Sequence, residues 1–141
     1  SGYVEWKEME EILKYVDLVL YDIKQIDLAK HAEYTGVSND LILENARRIS
    51  SKGIPMIIRV PVIPGYTDGE DSIRGIMEFA CVLESVVKVD LLPFHRLGEP
   101  KYRKLDRSYA FEGTQPPTGV DMQELKRIVE SFGLQAKVMS K

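Results

Sequence analysis

Short apolar runs alternate along this chain with segments whose apolar residues recur at helical spacing. The apolar runs predict strands at 17–22, 55–63, 87–93 and, more weakly, 135–139. Helical spacing predicts helices at 5–15, 27–34, 39–52, 70–84 and 120–132. A repeated strand–helix order favours a parallel sheet with right-handed crossovers, and three or four strands are too few to close a barrel.

Several residues have predicted roles within these elements. Asn39 is a favourable N-cap for the helix that follows it. Cys81 falls in the apolar stripe of the helix at 70–84 and is expected to be a small buried hydrophobe. The acids Asp68, Glu70 and Asp71 match no calcium-loop spacing, so we expect them to favour the N-terminus of that helix.

Charged side chains interrupt the apolar runs. Asp22 and Lys24 lie two residues apart, so they share one face of an extended strand. Arg59 lies inside the next run, and His95 directly follows the third. An ionised group in a buried strand is costly unless a partner neutralises it, and neighbouring parallel strands bring their carboxyl ends together. These four residues therefore predict a ligand site at one rim of the sheet.

The residue types indicate an anionic or mixed-charge ligand. Lys24 and Arg59 suit a carboxylate or phosphate, and His95 can donate to a ligand heteroatom. Asp22 can hold Lys24 in place, accept from an ammonium or help to bind a cation. A structural interpretation stays open, in which Asp22 and Lys24 form an ion pair and Arg59 binds loop carbonyls.

Composition excludes several classes of protein. The formal net charge is −3 and 44% of the 141 residues are hydrophobic, which argues against a nucleic-acid-binding or anionic-membrane-binding surface. No apolar run approaches the roughly 20 residues of a membrane span, and no signal peptide is evident. The single cysteine excludes an internal disulfide, so the cytoplasm is the expected compartment. His31 is expected on the surface, and no metal site is predicted.

Six sequence runs carry a resemblance to a known family, and in unbroken order they cover essentially the whole chain. They are SGYV, DLVLYDIKQID, HAEYTGVSNDLILEN, IIRVPVIPGYTD, VDLLPFHRLGEPKY and EGTQPPTGVDMQELKRIVESFGL. On these runs the chain resembles the C-terminal part of the glycyl-radical-enzyme activating enzymes. These are radical S-adenosylmethionine (SAM) enzymes, with the pyruvate formate-lyase activating enzyme as the best-known member.

The resemblance implies a fold, cofactors and partners. The fold would be α/β, with residues 1–141 forming part of an incomplete (β/α)6 TIM-like barrel. Asp22, Lys24 and His95 would bind SAM, and Arg59 would lie in the same cavity. A [4Fe–4S] cluster would reduce SAM, and the resulting 5′-deoxyadenosyl radical would take a hydrogen atom from a glycine of a partner such as pyruvate formate-lyase. Flavodoxin or ferredoxin would supply the electron, and the loop at 96–109 would lie where the partner's glycine loop enters.

One departure from the family limits these implications. The family binds its cluster with a C-x-x-x-C-x-x-C loop, and this chain has only Cys81, so we expect an inactive piece of a longer protein that does not ligate the cluster. Its uncovered sheet edge is expected to favour self-association. Two alternatives stay open: a βα-barrel lyase with Lys24 as a Schiff-base lysine, and a non-catalytic module that binds a partner through the loop at 96–109.

Overall fold

The chain folds into alternating strands and helices. The computed structural model describes residues 2–27, 39–65, 67, 69–94 and 115–139. The four helices of this part are α1 (Trp6–Leu13), α2 (Asp40–Ser51), α3 (Glu70–Cys81) and α4 (Gly119–Ser131). The four strands are β1 (Val19–Asp22), β2 (Met56–Val62), β3 (Val86–Pro93) and β4 (Ala136–Val138). Some predictions fall outside the described residues. They concern the helix at 27–34 beyond Asp27, the loop at 96–109, and the positions of His31 and Asp68.

The strands form one parallel sheet in the order β1-β2-β3-β4. The spatial order follows the chain order without a reversal, so successive right-handed crossovers place their helices on the same face of the sheet. A doubly wound sheet would instead reverse direction and carry helices on both faces. The predicted α/β fold, with parallel βα units in a partial barrel, is therefore confirmed.

One face of the sheet builds the hydrophobic core. Ile58, Val60 and Val62 of β2 are fully buried and pack in one cluster with apolar residues of the helices. The helical members of this cluster are Leu13, Ile42, Ala46, Ile49, Ile73, Ile76, Met77, Phe79, Ala80, Met122, Leu125 and Val129. Alternate residues of the strands point away from this core, and they include the charged ones.

Helix ends follow local chemistry that the sequence partly revealed. Thr118 and Asp121 form a capping box at the start of α4, each side chain accepting a hydrogen bond of 3.1 Å from the other's backbone N–H. Gly53 and Gly133 follow α2 and α4 with φ near +77° and +83°, a conformation that favours glycine.

One prediction about a single residue is wrong, and another is confirmed in position but not in its hydrogen bond. Cys81 is exposed rather than buried, and its thiol lies 3.6 Å from the Phe132 carbonyl oxygen. It is the last residue of α3, so no further turn of this helix covers it. Asn39 occupies the N-cap position of α2, but its side chain makes no capping hydrogen bond. Glu70 and Asp71 do lie in the first turn of α3, where carboxylates are favourable.

No helix among the described residues is both long and apolar enough to cross a membrane.

Candidate functional site

A row of four charged residues crosses the sheet on the face that points away from the core. The strand register aligns Asp22 of β1 with Arg59 of β2, Arg59 with Asp90 of β3, and Asp90 with Lys137 of β4. The charges alternate in sign along this row, so each residue has oppositely charged neighbours on the adjacent strands. We call the surface that holds this row the charged face.

The charged row lies inside the sheet rather than at its rim. Asp22 is the last residue of β1, but β2 and β3 each continue for three residues beyond Arg59 and Asp90, to Val62 and Pro93. Arg59 and Asp90 therefore lie on the charged face, below the rim at which the sequence predicted a ligand site. Strands of unequal length explain the shift, because only β1 ends at the level of the row.

Asp22 and Arg59 form a two-point ion pair. The Arg59 Nε donates to Asp22 Oδ1 at 2.7 Å, and Nη2 donates to Asp22 Oδ2 at 3.3 Å. The side chains of Arg59 and Asp22 are 36% and 22% exposed, so water reaches the pair from one side. The hydrogen bond with Asp22 raises the pKa of Arg59, and the charges of Asp22 and Asp90 act in the same direction. Arg59 is therefore positively charged throughout the physiological range.

Asp90 is a charged residue of the site that sequence reasoning missed. It is only 5% exposed, and Lys88 Nζ lies 3.0 Å from its Oδ1. That contact is an ion pair without hydrogen-bond geometry, and Oδ1 has no hydrogen-bond donor among the described residues. The signal was present in the sequence, since Lys88 and Asp90 are two residues apart in an apolar strand, as Asp22 and Lys24 are.

Lys24 follows β1 by two residues, in a segment fixed by side chains. The Asn39 amide donates to the carbonyl oxygens of Gln25 at 2.8 Å and Ile26 at 3.0 Å. Gln25 is 2% exposed and its Oε1 accepts from the backbone N–H of Ile26 at 3.0 Å. Lys24 itself is exposed and forms no ion pair with any other described residue. Its ammonium is thus displayed from an ordered turn.

The segment after β2 is fixed in a similar way. Thr67 is 3% exposed, and its hydroxyl accepts from Ile63 N at 2.8 Å and donates to the Pro61 carbonyl oxygen at 2.7 Å. Neither this threonine nor Asn39 stood out in the sequence as a residue that shapes the site, because hydroxyl and amide side chains are equally common in solvent-exposed loops.

The predicted site residues have three outcomes. Asp22 and Arg59 are in direct contact, and Lys24 follows Asp22 on the same chain segment. The ion pair considered between Asp22 and Lys24 does not form, and Asp22 is paired with Arg59 on the adjacent strand instead. His95 lies outside the described residues. Within the described part of the chain, no three His, Cys, Asp or Glu residues are grouped as metal ligands.

The arrangement can bind a polar ligand that carries both signs of charge. Lys24 offers three donors to an anionic group, and the outer lone pairs of Asp22 can accept from a ligand ammonium or hydroxyl. Arg59 fixes the plane of the Asp22 carboxylate through two hydrogen bonds, so its own guanidinium is largely used within the protein. The fold and this site together define an α/β partial barrel whose polar site lies on the charged face, opposite the described helices.

Comparison with known proteins finds similar sequences among enzymes of one kind. No protein-family model matches the chain. The chain is 49% identical over 108 residues to an isethionate sulfite-lyase activating enzyme of Oleidesulfovibrio alaskensis, covering 75% of this chain and 34% of that protein. It is 37% identical over 139 residues to a trans-4-hydroxy-L-proline dehydratase activating enzyme of Clostridioides difficile, covering 97% and 46%. It is 36% identical over 125 residues to pyruvate formate-lyase 1-activating enzyme of Escherichia coli K12, covering 89% and 51%.

Solved structures agree with this relationship. A domain of pyruvate-formate lyase-activating enzyme from Bacteroides vulgatus superposes with a TM-score of 0.78 and 27% identity, covering 95% of this chain and 74% of that one. A radical SAM methyltransferase from Sphaerobacter thermophilus shares the fold alone, with a TM-score of 0.65 and 13% identity over 96% of this chain and 38% of that one. The chain is a homologue of the glycyl-radical-enzyme activating enzymes. It spans from about a third to about half the length of these curated relatives, between 34% and 51%.

Proposed function

We propose that this chain provides one part of the SAM site of a glycyl-radical-enzyme activating enzyme. The observation that carries the proposal is the two-point Asp22–Arg59 pair on the charged face, next to Lys24, which has no ion-pair partner in the described part of the chain, in a homologue of these enzymes. Asp22 and Lys24 would bind the amino-acid end of SAM, which carries an ammonium and a carboxylate. His95, which follows Phe94 at the end of the described segment after β3, would complete the contact with SAM.

The cofactors would supply the radical chemistry, and this chain would supply binding and orientation. SAM and a [4Fe–4S] cluster, when bound in the complete enzyme, generate the hydrogen-abstracting radical. The role of Lys24 and Asp22 would be to fix one end of SAM, and that of Arg59 to hold the Asp22 carboxylate in its orientation. The cluster would be ligated outside this chain, since a cluster needs several thiolates and Cys81 is the single cysteine.

The partner would be a glycyl-radical enzyme, with pyruvate formate-lyase as one candidate, and the electron donor a flavodoxin or ferredoxin. The cytoplasm is the compartment that suits an iron–sulfur enzyme and a chain with one cysteine. The alternative of a Schiff-base lyase is less favoured, because Asp22 is engaged by Arg59 rather than by Lys24.

A ligand titration tests the SAM site on the chain as it stands. Nitrogen-15-labelled protein would be titrated with SAM, and amide shifts followed by NMR, which detects even millimolar affinity. We expect saturable shifts confined to residues around Asp22, Lys24 and Arg59. Adenosine and methionine, titrated separately, show which end of SAM contacts this region, with methionine expected to reproduce the shifts near Lys24. Absence of saturable shifts, or shifts confined to the opposite end of the sheet near Glu84, would refute the proposal.

A further inference from the structure

Arg59 stands between two carboxylates, and only one of them has a role in the proposed site. Asp22 binds it through two hydrogen bonds from β1, while Asp90 faces it from β3 in direct strand register. Both carboxylates lie on the charged face, since Arg59 aligns with each and alternate strand residues share a face. The guanidinium is in contact with Asp22 and is attracted by the charge of Asp90, which lies outside ion-pair distance.

Asp90 is placed in a costly environment for a carboxylate without a further role. It is 95% removed from solvent, its exposed fraction being 5%. Among the described residues, the cation at ion-pair distance is Lys88. Its Nζ lies 3.0 Å from Asp90 Oδ1, without hydrogen-bond geometry. A buried carboxylate that lacks full hydrogen bonding is unfavourable by itself, and the opposite charge of Arg59 on the adjacent strand offsets part of that cost.

We propose that Asp90 is a positioning residue for Arg59, and through Arg59 for Asp22. The four residues Lys88, Asp90, Arg59 and Asp22 then form one chain of alternating charge, from the buried middle of β3 to the ligand-facing end of β1. Asp90 fixes the guanidinium from behind, and Arg59 in turn fixes the plane of the Asp22 carboxylate. Asp90 does not touch the ligand in this scheme.

The proposal deepens the SAM assignment and rests on it only for its effect on ligand binding. The effect on Arg59 is a property of the free protein, so it can be measured without SAM. This separation allows the failure of either proposal to be recognised independently.

The direct test is the NMR signal of the Arg59 side-chain Nε–H, which reports the hydrogen bond to Asp22. We expect Asp90→Asn to shift this signal and to accelerate its exchange with water several-fold, because the attraction of the second carboxylate for the guanidinium is lost. Asp90→Glu, which restores the charge, should return part of the protection. Glu84→Gln, an exposed acid just before β3, is the matched control and should leave the signal in place.

Two further measurements keep the test decisive. If Asp90→Asn does not fold, Lys88→Gln replaces it, because Lys88 is 29% exposed and its loss leaves Asp90 with only the cations on its neighbouring strands, Arg59 and Lys137. The Arg59 signal must then move too. An unchanged Arg59 signal in a folded Asp90→Asn or Lys88→Gln protein would overturn the proposal.

The ligand arm follows from the same proteins. Where wild type binds SAM, Asp90→Asn should weaken binding by several-fold, and Asp90→Glu should recover part of it. Equal SAM affinity in wild type and Asp90→Asn would overturn the link from Asp90 to the ligand. Failure of wild type to bind SAM would refute the proposed function instead, while the Arg59 signal would still decide the role of Asp90.

Discussion

At the scale of single residues, the site depends on how charges are divided between protein and ligand. Arg59 is bound by Asp22 at two points and faces Asp90, so its positive charge is largely balanced within the sheet. Lys24 is exposed and has no ion-pair partner among the described residues. A free ammonium on a fixed turn is better suited to a ligand anion than a guanidinium already engaged.

Replacement of Lys24 is therefore predicted to reduce SAM affinity more than its exposure suggests. Lys24→Ala should weaken SAM binding by about tenfold or more, because a hydrogen bond to a charged group contributes roughly 1.5–3 kcal/mol. Calorimetric or NMR titration measures the change. Lys7→Ala, an exposed lysine on α1, is the matched control and should bind SAM as wild type does. Equal affinities for the two variants would contradict the assignment.

Tyr21 gives a residue-scale prediction that concerns pH. Its side chain is 3% exposed and its hydroxyl donates to the Ile42 carbonyl oxygen, while Gly2 packs so closely that a Cβ there would overlap the phenol. Burial raises the pKa of Tyr21. The neutral phenol is thus favoured by folding, and this stabilisation is complete below the unfolded tyrosine pKa of about 10 and decreases as pH rises above it.

The measurement is urea unfolding at pH about 8 and about 11, on either side of the usual tyrosine pKa. Wild type should lose more stability between the two pH values than Tyr21→Phe, which has no phenol to ionise. Tyr15→Phe removes an 88% exposed phenol and should lose as much as wild type. If all three proteins lose stability equally, the buried phenol has no part in the alkaline response.

At the scale of elements, the short segment after β1 takes its shape from α2. The Asn39 amide uses both hydrogens on the carbonyl oxygens of Gln25 and Ile26, and Asn39 is 1% exposed. These two carbonyl groups follow the end of β1, where no described strand pairs with them. Asn39, the N-cap residue of α2, therefore fixes the segment on which Lys24 lies.

Asn39→Asp is predicted to destabilise the chain strongly. The carboxylate has the shape of the amide but no donor, so two carbonyl oxygens lose their partner and face a buried negative charge. We expect the free energy of unfolding to fall by about 2 kcal/mol or more, since one unsatisfied buried group costs roughly 1–3 kcal/mol. Chemical denaturation measures the loss. Gln123→Glu makes the same amide-to-acid change at an exposed position of α4 and should be nearly neutral.

The elements themselves were predictable from the sequence, and the side-chain contacts between them only in part. The periodicity of apolar residues located all four described strands and helices, because burial of one face requires it. It could not show that Arg59, rather than Lys24, is the partner of Asp22, since that depends on the register between β1 and β2. The alignment of Asp90 with Arg59 depends in the same way on the register between β2 and β3. A charge in an apolar strand had singled out Arg59, and the same signal was present at Asp90.

At the scale of the whole molecule, β1 is an edge strand of the sheet, and no other strand among the described residues pairs with its outer side. Apolar side chains are exposed around it: Leu18 is 46% and Leu20 54% exposed, and Ile12 of the adjacent α1 is 64% exposed. An apolar groove of about 340 Å³ runs between α1 and β1, lined by Ile12, Leu18 and seven further residues. Unpaired backbone groups beside apolar side chains promote strand pairing between copies.

We therefore predict that the chain self-associates through the β1 edge and that one charge there suppresses it. Leu20→Lys should shift the protein toward monomer, because Leu20 lies in the edge strand and is 54% exposed, so a lysine costs little stability there. Light scattering after size-exclusion chromatography, over a range of protein concentrations, measures the change. Val120→Lys alters an exposed apolar residue of α4, 70% exposed and not on β1, and should leave the association of wild type intact. A wild-type chain that remains monomeric at high concentration, or two variants that suppress association equally, would show that the β1 edge does not drive it.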